Sequence, residues 1–193
     1  IRDRSLIGSL RENGIGNVCN IGASMESCRT TLAMAEKYPF FYGALGIHPN
    51  ETKDLTEEDM DWLRKASGSE KIVAIGEIGL DYYWDNESHD LQKEWFVRQL
   101  NLARELDLPV LIHSRDAAAD TMEIMKQYGQ GLDGVIHCFS YSGEMAEEYV
   151  KMGYYIGIGG VVTFKNARKL VEATAYIPCL LYTSDAADDL IGV

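Results

Sequence analysis

IVAIGE (72–77), PVLIH (109–113) and GVIHCF (134–139) are three short apolar runs, and each ends on or just past a polar residue: Glu77, His113 and His137. They are rich in β-branched residues and lack a clean in-out alternation, as expected of strands covered on both faces of a parallel sheet. A helical stretch follows each one. Three further runs read the same way: NVCNIG (17–22), FFYGALGIHP (40–49) and YYIGIGGVV (154–162). Helices are predicted at 24–37, at 56–65 behind a capping-box-like Thr56-Glu-Glu-Asp, and from Ser88 onward with Leu91, Trp95, Leu102 and Leu106 on or near one face. Further helices are predicted at about 116–128, 143–151 and 166–174. The loop GLDYYWDNES (79–88) is expected to follow the strand that ends at Glu77.

Strict alternation of strand and helix gives an α/β fold with a parallel sheet. A doubly wound sheet fits the alternation too. However, no Gly-rich phosphate turn follows the first strand, and polar residues recur at strand ends. Both features favour a TIM-type (β/α)8 barrel, whose strand ends share one mouth, here incomplete with about six of its eight strands.

The 193 residues suffice for one domain with a sizeable core, and 46% hydrophobic against 25% charged residues is the balance of a globular protein. No run reaches the apolar length of a membrane span and no secretory signal opens the chain, so a cytoplasmic location without membrane association is expected. Cys19, Cys28, Cys138 and Cys179 have no CxxC spacing and read as reduced, buried thiols. The net charge of −12 argues against a broad basic surface for duplex nucleic acid. A nuclease remains open, since a bound dication supplies positive charge locally. The chain opens without Met inside a helix-like stretch (Leu6, Leu10, then Gly14) and is expected to be a fragment of a longer protein.

One carboxylate and two imidazoles converging on a barrel mouth suit a metal site. Glu77 can bridge two dications, and neutral His113 and His137 suit zinc, manganese or iron. His48, at another strand end, is a candidate substrate contact. Arg115 can clamp an anion through paired hydrogen bonds or make a surface salt bridge with Asp116 or Glu123; Lys165 is a second candidate phosphate contact. His89 reads as solvated. Tyr82, Tyr83 and Trp84 suit either base stacking or a lid on the barrel rim.

GIHPNE, GEIGLDYYW, IHSRDA, HCFSYSGE and GGVVTFKN follow one another in the order and spacing of the TatD family of metal-dependent deoxyribonucleases, and the chain resembles that family over about residues 1–178. The resemblance implies a barrel of the metallo-dependent hydrolase superfamily with two divalent ions (Mg, Mn or Zn) and hydrolysis of DNA phosphodiesters, on single strands or ends. No obligate protein partner is implied. It puts the bridging carboxylate on Glu77 and the second ion's histidines on His113 and His137. The family's His-x-His and its final-strand E-T-D-x-P Asp have no match here; Asp185 in LLYTSDAAD stands in only a superficially similar place. Residues 179–193 (CLLYTSDAADDLIGV) resemble a translated sequencing adapter and are expected to be non-native, the rival being a divergent last strand that uses Asp185. A fragment so truncated is expected to have weak activity or none. Two alternatives remain: a related hydrolase of a lactone, amide or aminoacyl ester, and a non-catalytic metal-binding barrel.

Overall fold

The computed structural model describes residues 4–84, 88–177 and 180–181. Helix α1 (Arg4–Glu12) ends at Gly14, whose φ of +81° breaks the helical path. Strand β1 (Val18–Ile21) leads to α2 (Met25–Lys37), which Ser24 and Ser27 cap reciprocally. Strand β2 (Phe41–Leu45) is followed by a 3-10 turn (Pro49–Glu51) and α3 (Glu57–Ala66), where Thr56 and Asp59 form the expected capping box. Then come β3 (Ile72–Asp81), α4 (His89–Leu106), β4 (Val110–Arg115), α5 (Ala118–Tyr128), β5 (Gly134–Ile136), α6 (Gly143–Lys151), β6 (Tyr155–Gly157), α7 (Arg168–Tyr176) and β7 (Leu180–Leu181).

All seven strands among the described residues pair in parallel, and their order across the sheet is their order along the chain. A doubly wound sheet reverses direction at a switch point; sequential order without reversal is the connectivity of a (β/α)8 barrel, here an incomplete one. β7 is short and pairs Leu180 with Ile156 and Leu181 with Gly157. It falls within the stretch expected to be non-native; Cys179 and residues 182–193, Asp185 among them, lie outside the described residues. Among the described residues Cys19, Cys28 and Cys138 are free thiols, but only Cys28 is buried as expected; Cys19 is exposed and Cys138 half-buried.

Several runs differ from expectation: β2 ends at Leu45 and β5 at Ile136, short of the 49 and 139 that the runs suggest. The YYIGIGGVV run is a strand only over Tyr155–Gly157, and Gly160–Thr163 turns as a 3-10 helix, since glycines at 157, 159 and 160 supply little side chain to hold a ladder. β3 runs four residues past Glu77, because Ile78 and Leu80 are fully buried and the ladder with β4 resumes at Ile78 and continues to Asp81. The core lies between sheet and helices. Ile75, Ile78, Leu80, Phe96, Leu100, Val110, Ile112 and Ile156 are all essentially inaccessible to solvent.

Candidate metal centre

Glu77 sits in an irregularity of β3. Ile75 pairs with Val110 and Ile78 with Ile112, so Gly76 and Glu77 together oppose Leu111 alone. Such a bulge bends a strand and redirects a side chain. The Glu77 N–H leaves the β3–β4 ladder and donates to Gly22 O at 3.1 Å, beside the end of β1. At Gly79, φ is +148° and an added Cβ would lie 1.9 Å from His113 O. Only glycine lets β3 pass this close to the histidine-bearing stretch of β4.

His113, on β4, lies between two carboxylates. Its Nδ1 is 3.0 Å from Glu77 Oε1 and its Nε2 is 3.1 Å from Asp81 Oδ2. The three side chains are 18%, 12% and 2% exposed. Donating to both carboxylates at once requires a proton on each ring nitrogen. Burial pulls the His113 pKa down, but the bonds to Asp81 and Glu77 and their charges outweigh it and hold it well above the ordinary imidazole value. Burial likewise pushes the Glu77 carboxyl up; the bond from His113 and the positive charge of His113, His48 and His137 reverse this, leaving it below the usual carboxylate range.

Asp81 is the site residue that the sequence reading missed. Its Oδ2 also accepts from Asn50 Nδ2 at 3.4 Å, and its Oδ1 accepts from the Tyr83 N–H at 3.0 Å. Two buried glutamines on α4 hold the backbone on either side of the site. Gln92 accepts from Asp81 N–H (2.9 Å) and donates to Asp81 C=O (2.9 Å). Gln99 accepts from Ile47 N–H (2.7 Å) and donates to Ile47 C=O (3.2 Å), directly before His48. Each amide occupies both hydrogen-bonding groups of one residue at a strand's end.

His48 caps the 3-10 turn, its Nδ1 accepting from Asn50 N–H at 3.3 Å, and its ring lies 4.3 Å from that of His113. Ligating atoms of His48, Glu77 and His113 all fall within 4.8 Å of one another. His137 immediately follows β5, as expected, and its charge is felt at Glu77, but its Nε2 lies 3.1 Å from Cys138 Sγ and it stands outside that cluster. Arg115 packs its guanidinium 3.8 Å over the Tyr83 ring; among the described residues it makes no salt bridge, with Asp116 and Glu123 included. Lys165 is exposed beyond the 3-10 helix. His89 is exposed, and its ring stacks on Tyr82 at 3.6 Å.

The donors suit a divalent cation. A buried carboxylate and clustered imidazoles offer mixed O and N ligands. Among the described residues no Lys or Arg pairs with Glu77, and buried Asn50 Oδ1 has no hydrogen-bond partner beside the cluster. Fold and site together define an incomplete parallel α/β barrel whose strand ends gather a candidate cation site. The family model of TatD-related DNases matches residues 2–186, and the chain belongs to that family. It is 46% identical over 159 residues to the uncharacterized metal-dependent hydrolase YabD of Bacillus subtilis, covering 82% of this chain and 62% of that relative. It is 34% identical over 176 residues to the 3'-5' ssDNA/RNA exonuclease TatD of Cronobacter sakazakii, covering 91% of this chain and 66% of that relative. The crystal structure of YjjV, a TatD homologue from Escherichia coli, superposes with a TM-score of 0.85 at 33% identity, over 94% of this chain and 73% of that one. The chain thus spans 62% and 66% of the two curated relatives and 73% of the YjjV chain.

Proposed function

We propose that this chain is part of a metal-dependent phosphodiesterase that cleaves DNA, with single strands or strand ends as substrate. The observation that carries this is His113 held between Glu77 and Asp81 beside His48. Glu77 and His113 would hold the cation, with Glu77 shared between two ions in the fuller form of the reading. His137 would join as a ligand by exchanging its contact with Cys138. A divalent cation there would supply Lewis-acid polarisation of a phosphoryl oxygen and a water acidic enough to attack at neutral pH.

The protein's own groups do the rest. With a cation bound, Asp81 would keep the proton on His113 Nε2 while Nδ1 gives up its own, leaving the Nδ1 lone pair to the cation on the Glu77 side. His48 accepts at Nδ1, which places its proton on Nε2, where it serves as a donor to a substrate oxygen. Arg115 and Lys165 supply local positive charge in a protein of net charge −12, opposing the repulsion of a polyanion. Hydrolysis joins the water oxygen to phosphorus, breaks one P–O ester bond and passes the proton to the departing oxygen.

The test uses the full gene product with a 5'-labelled single-stranded DNA and manganese or zinc, with and without EDTA. Cleavage that needs the metal and disappears in Glu77→Ala is expected. Metal uptake without turnover of DNA, or turnover of a lactone or amide instead, overturns the proposal.

A further inference from the structure

We propose that Tyr83, Trp84 and Arg115 form a shelf on the rim of the Glu77–His113–Asp81 cluster that stacks the unpaired bases of a single-stranded nucleic acid. This deepens the phosphodiesterase reading and rests on it for the identity of the ligand. Tyr83 and Trp84 are 54% and 45% exposed, consecutive, and set edge to face at 5.1 Å. Two neighbouring aromatic rings left in water are an unfavourable arrangement that a ligand face explains. The Arg115 guanidinium lies 3.8 Å over Tyr83 and 5.9 Å from the Trp84 centroid. The guanidinium covers one face of Tyr83, and its N–H edge can meet a phosphate while the exposed remainder of Tyr83 and the Trp84 ring can meet bases.

One hydrogen bond joins the shelf to the site, and two more hold the shelf's backbone. The Tyr83 N–H donates to Asp81 Oδ1 at 3.0 Å, while Oδ2 of the same carboxylate bonds His113. Arg115 lies two residues beyond His113 on the same strand, and its carbonyl accepts from the Tyr82 N–H at 2.9 Å. Tyr82 is pinned in turn by its hydroxyl donating to Asp120 at 2.7 Å. A strand lying on the shelf therefore runs past the metal cluster. Charge selects the partner: the protein is strongly acidic overall, and an anionic chain meets at this rim a guanidinium that forms no salt bridge among the described residues. Stacking on the rings selects unpaired bases, because in a duplex the base faces are already covered.

The experiment measures binding in EDTA, where no metal-dependent cleavage occurs. The whole chain is titrated into labelled dT10, an abasic 10-mer of equal phosphate number and a 10-base-pair duplex, with tryptophan emission followed in parallel. The dT10 strand is expected to bind on the order of ten-fold more tightly than the abasic strand and to quench emission. Trp84→Ala and Tyr83→Ala should each remove most of that preference without weakening the abasic strand, Trp84→Phe should keep it, and Arg115→Gln should weaken both strands. Both rings are exposed, so circular dichroism should report an unchanged fold. Equal affinity for dT10 and the abasic strand, unchanged dT10 affinity in the ring variants, tighter binding of duplex, or no binding at all overturns the shelf. Stacking without phosphodiesterase activity in the metal-loaded gene product would overturn the proposed function alone; metal-dependent cleavage indifferent to the ring variants would overturn the shelf alone.

Discussion

A histidine flanked by a carboxylate on each ring nitrogen keeps only one of those hydrogen bonds once a cation takes a lone pair. At His113 the retained bond is the one to Asp81, since Glu77 is on the ligand side. Removing the charge of such an outer carboxylate weakens metal binding by about 10–100-fold. Asp81→Asn is therefore expected to raise the dissociation constant for zinc or manganese by roughly that factor, measured by calorimetry, while circular dichroism stays unchanged. An unchanged constant would remove Asp81 from the site. Glu77, His113 and His48 were visible in the sequence because a polar residue closing an apolar run stands out. Asp81 was hidden, because Gly-Leu-Asp looks like the start of a turn and the strand was ended at Glu77. Continuing the two-residue period through Ile78, Gly79 and Leu80 would have put Asp81 on the same face as Glu77. His137 shows the opposite limit: its place after β5 followed from the pattern, but its contact with Cys138 follows from a local backbone turn, φ +44° at Cys138, that no periodicity encodes.

Helix α4 has the periodic apolar face that the sequence suggested, with Trp95 and Leu102 buried on it, but Gln92 and Gln99 are buried there as well. They lie seven residues apart, two helical turns, so both amides face the sheet. Gln99→Ala would leave the Ile47 N–H and C=O buried without partners. Each such group costs on the order of 1–3 kcal/mol, so urea denaturation should show a loss of at least that size; a loss below about 0.5 kcal/mol, as at ordinary surface sites, would mean that the amide is dispensable. Helix α5 anchors the loop after β3 through Asp120, which accepts from Tyr82 and pairs with Lys93 at 2.5 Å. The Lys93 bond, then the Tyr82 bond, lower the Asp120 pKa. A lowered folded-state value means stabilisation that is present above the unfolded carboxylate value near 3.9 and lost as pH falls through the folded one. Asp120→Asn should thus lower the melting temperature at pH 7 and narrow the gap from the parent below about pH 3.9; a gap independent of pH would show that charge at Asp120 contributes nothing.

Over the whole molecule, strand-helix alternation was enough to give the parallel sheet and its sequential order, because each buried strand must announce itself as an apolar run. Element ends were less accessible. β3 runs longer and β6 shorter than their runs suggest, since the limits are set by Gly79 packing on β4 and by the glycines around 157–160, which are tertiary facts. The site draws on β2's following turn, β3 and β4, and α4 braces two of these, so a ligand held there couples elements far apart in the chain. A ligand that binds only the folded state stabilises it by mass action, about 2.7 kcal/mol when free ligand is 100 times its dissociation constant. For a chain of this size each kcal/mol moves the melting temperature by about 2–4 °C. Saturating manganese or zinc should therefore raise the melting temperature of the EDTA-stripped chain by roughly 5–10 °C, with the rise growing logarithmically with free metal. In Glu77→Ala the rise should vanish, whatever that variant's own starting stability, because the shift is read against the same variant in EDTA. Lys165→Ala, on the exposed segment beyond the 3-10 helix, should keep the full rise. An equal rise in Glu77→Ala would place the metal elsewhere on this acidic surface. No rise in the parent chain would mean that Glu77 and His113, although gathered with His48 within ligand distance, do not hold a cation in this chain.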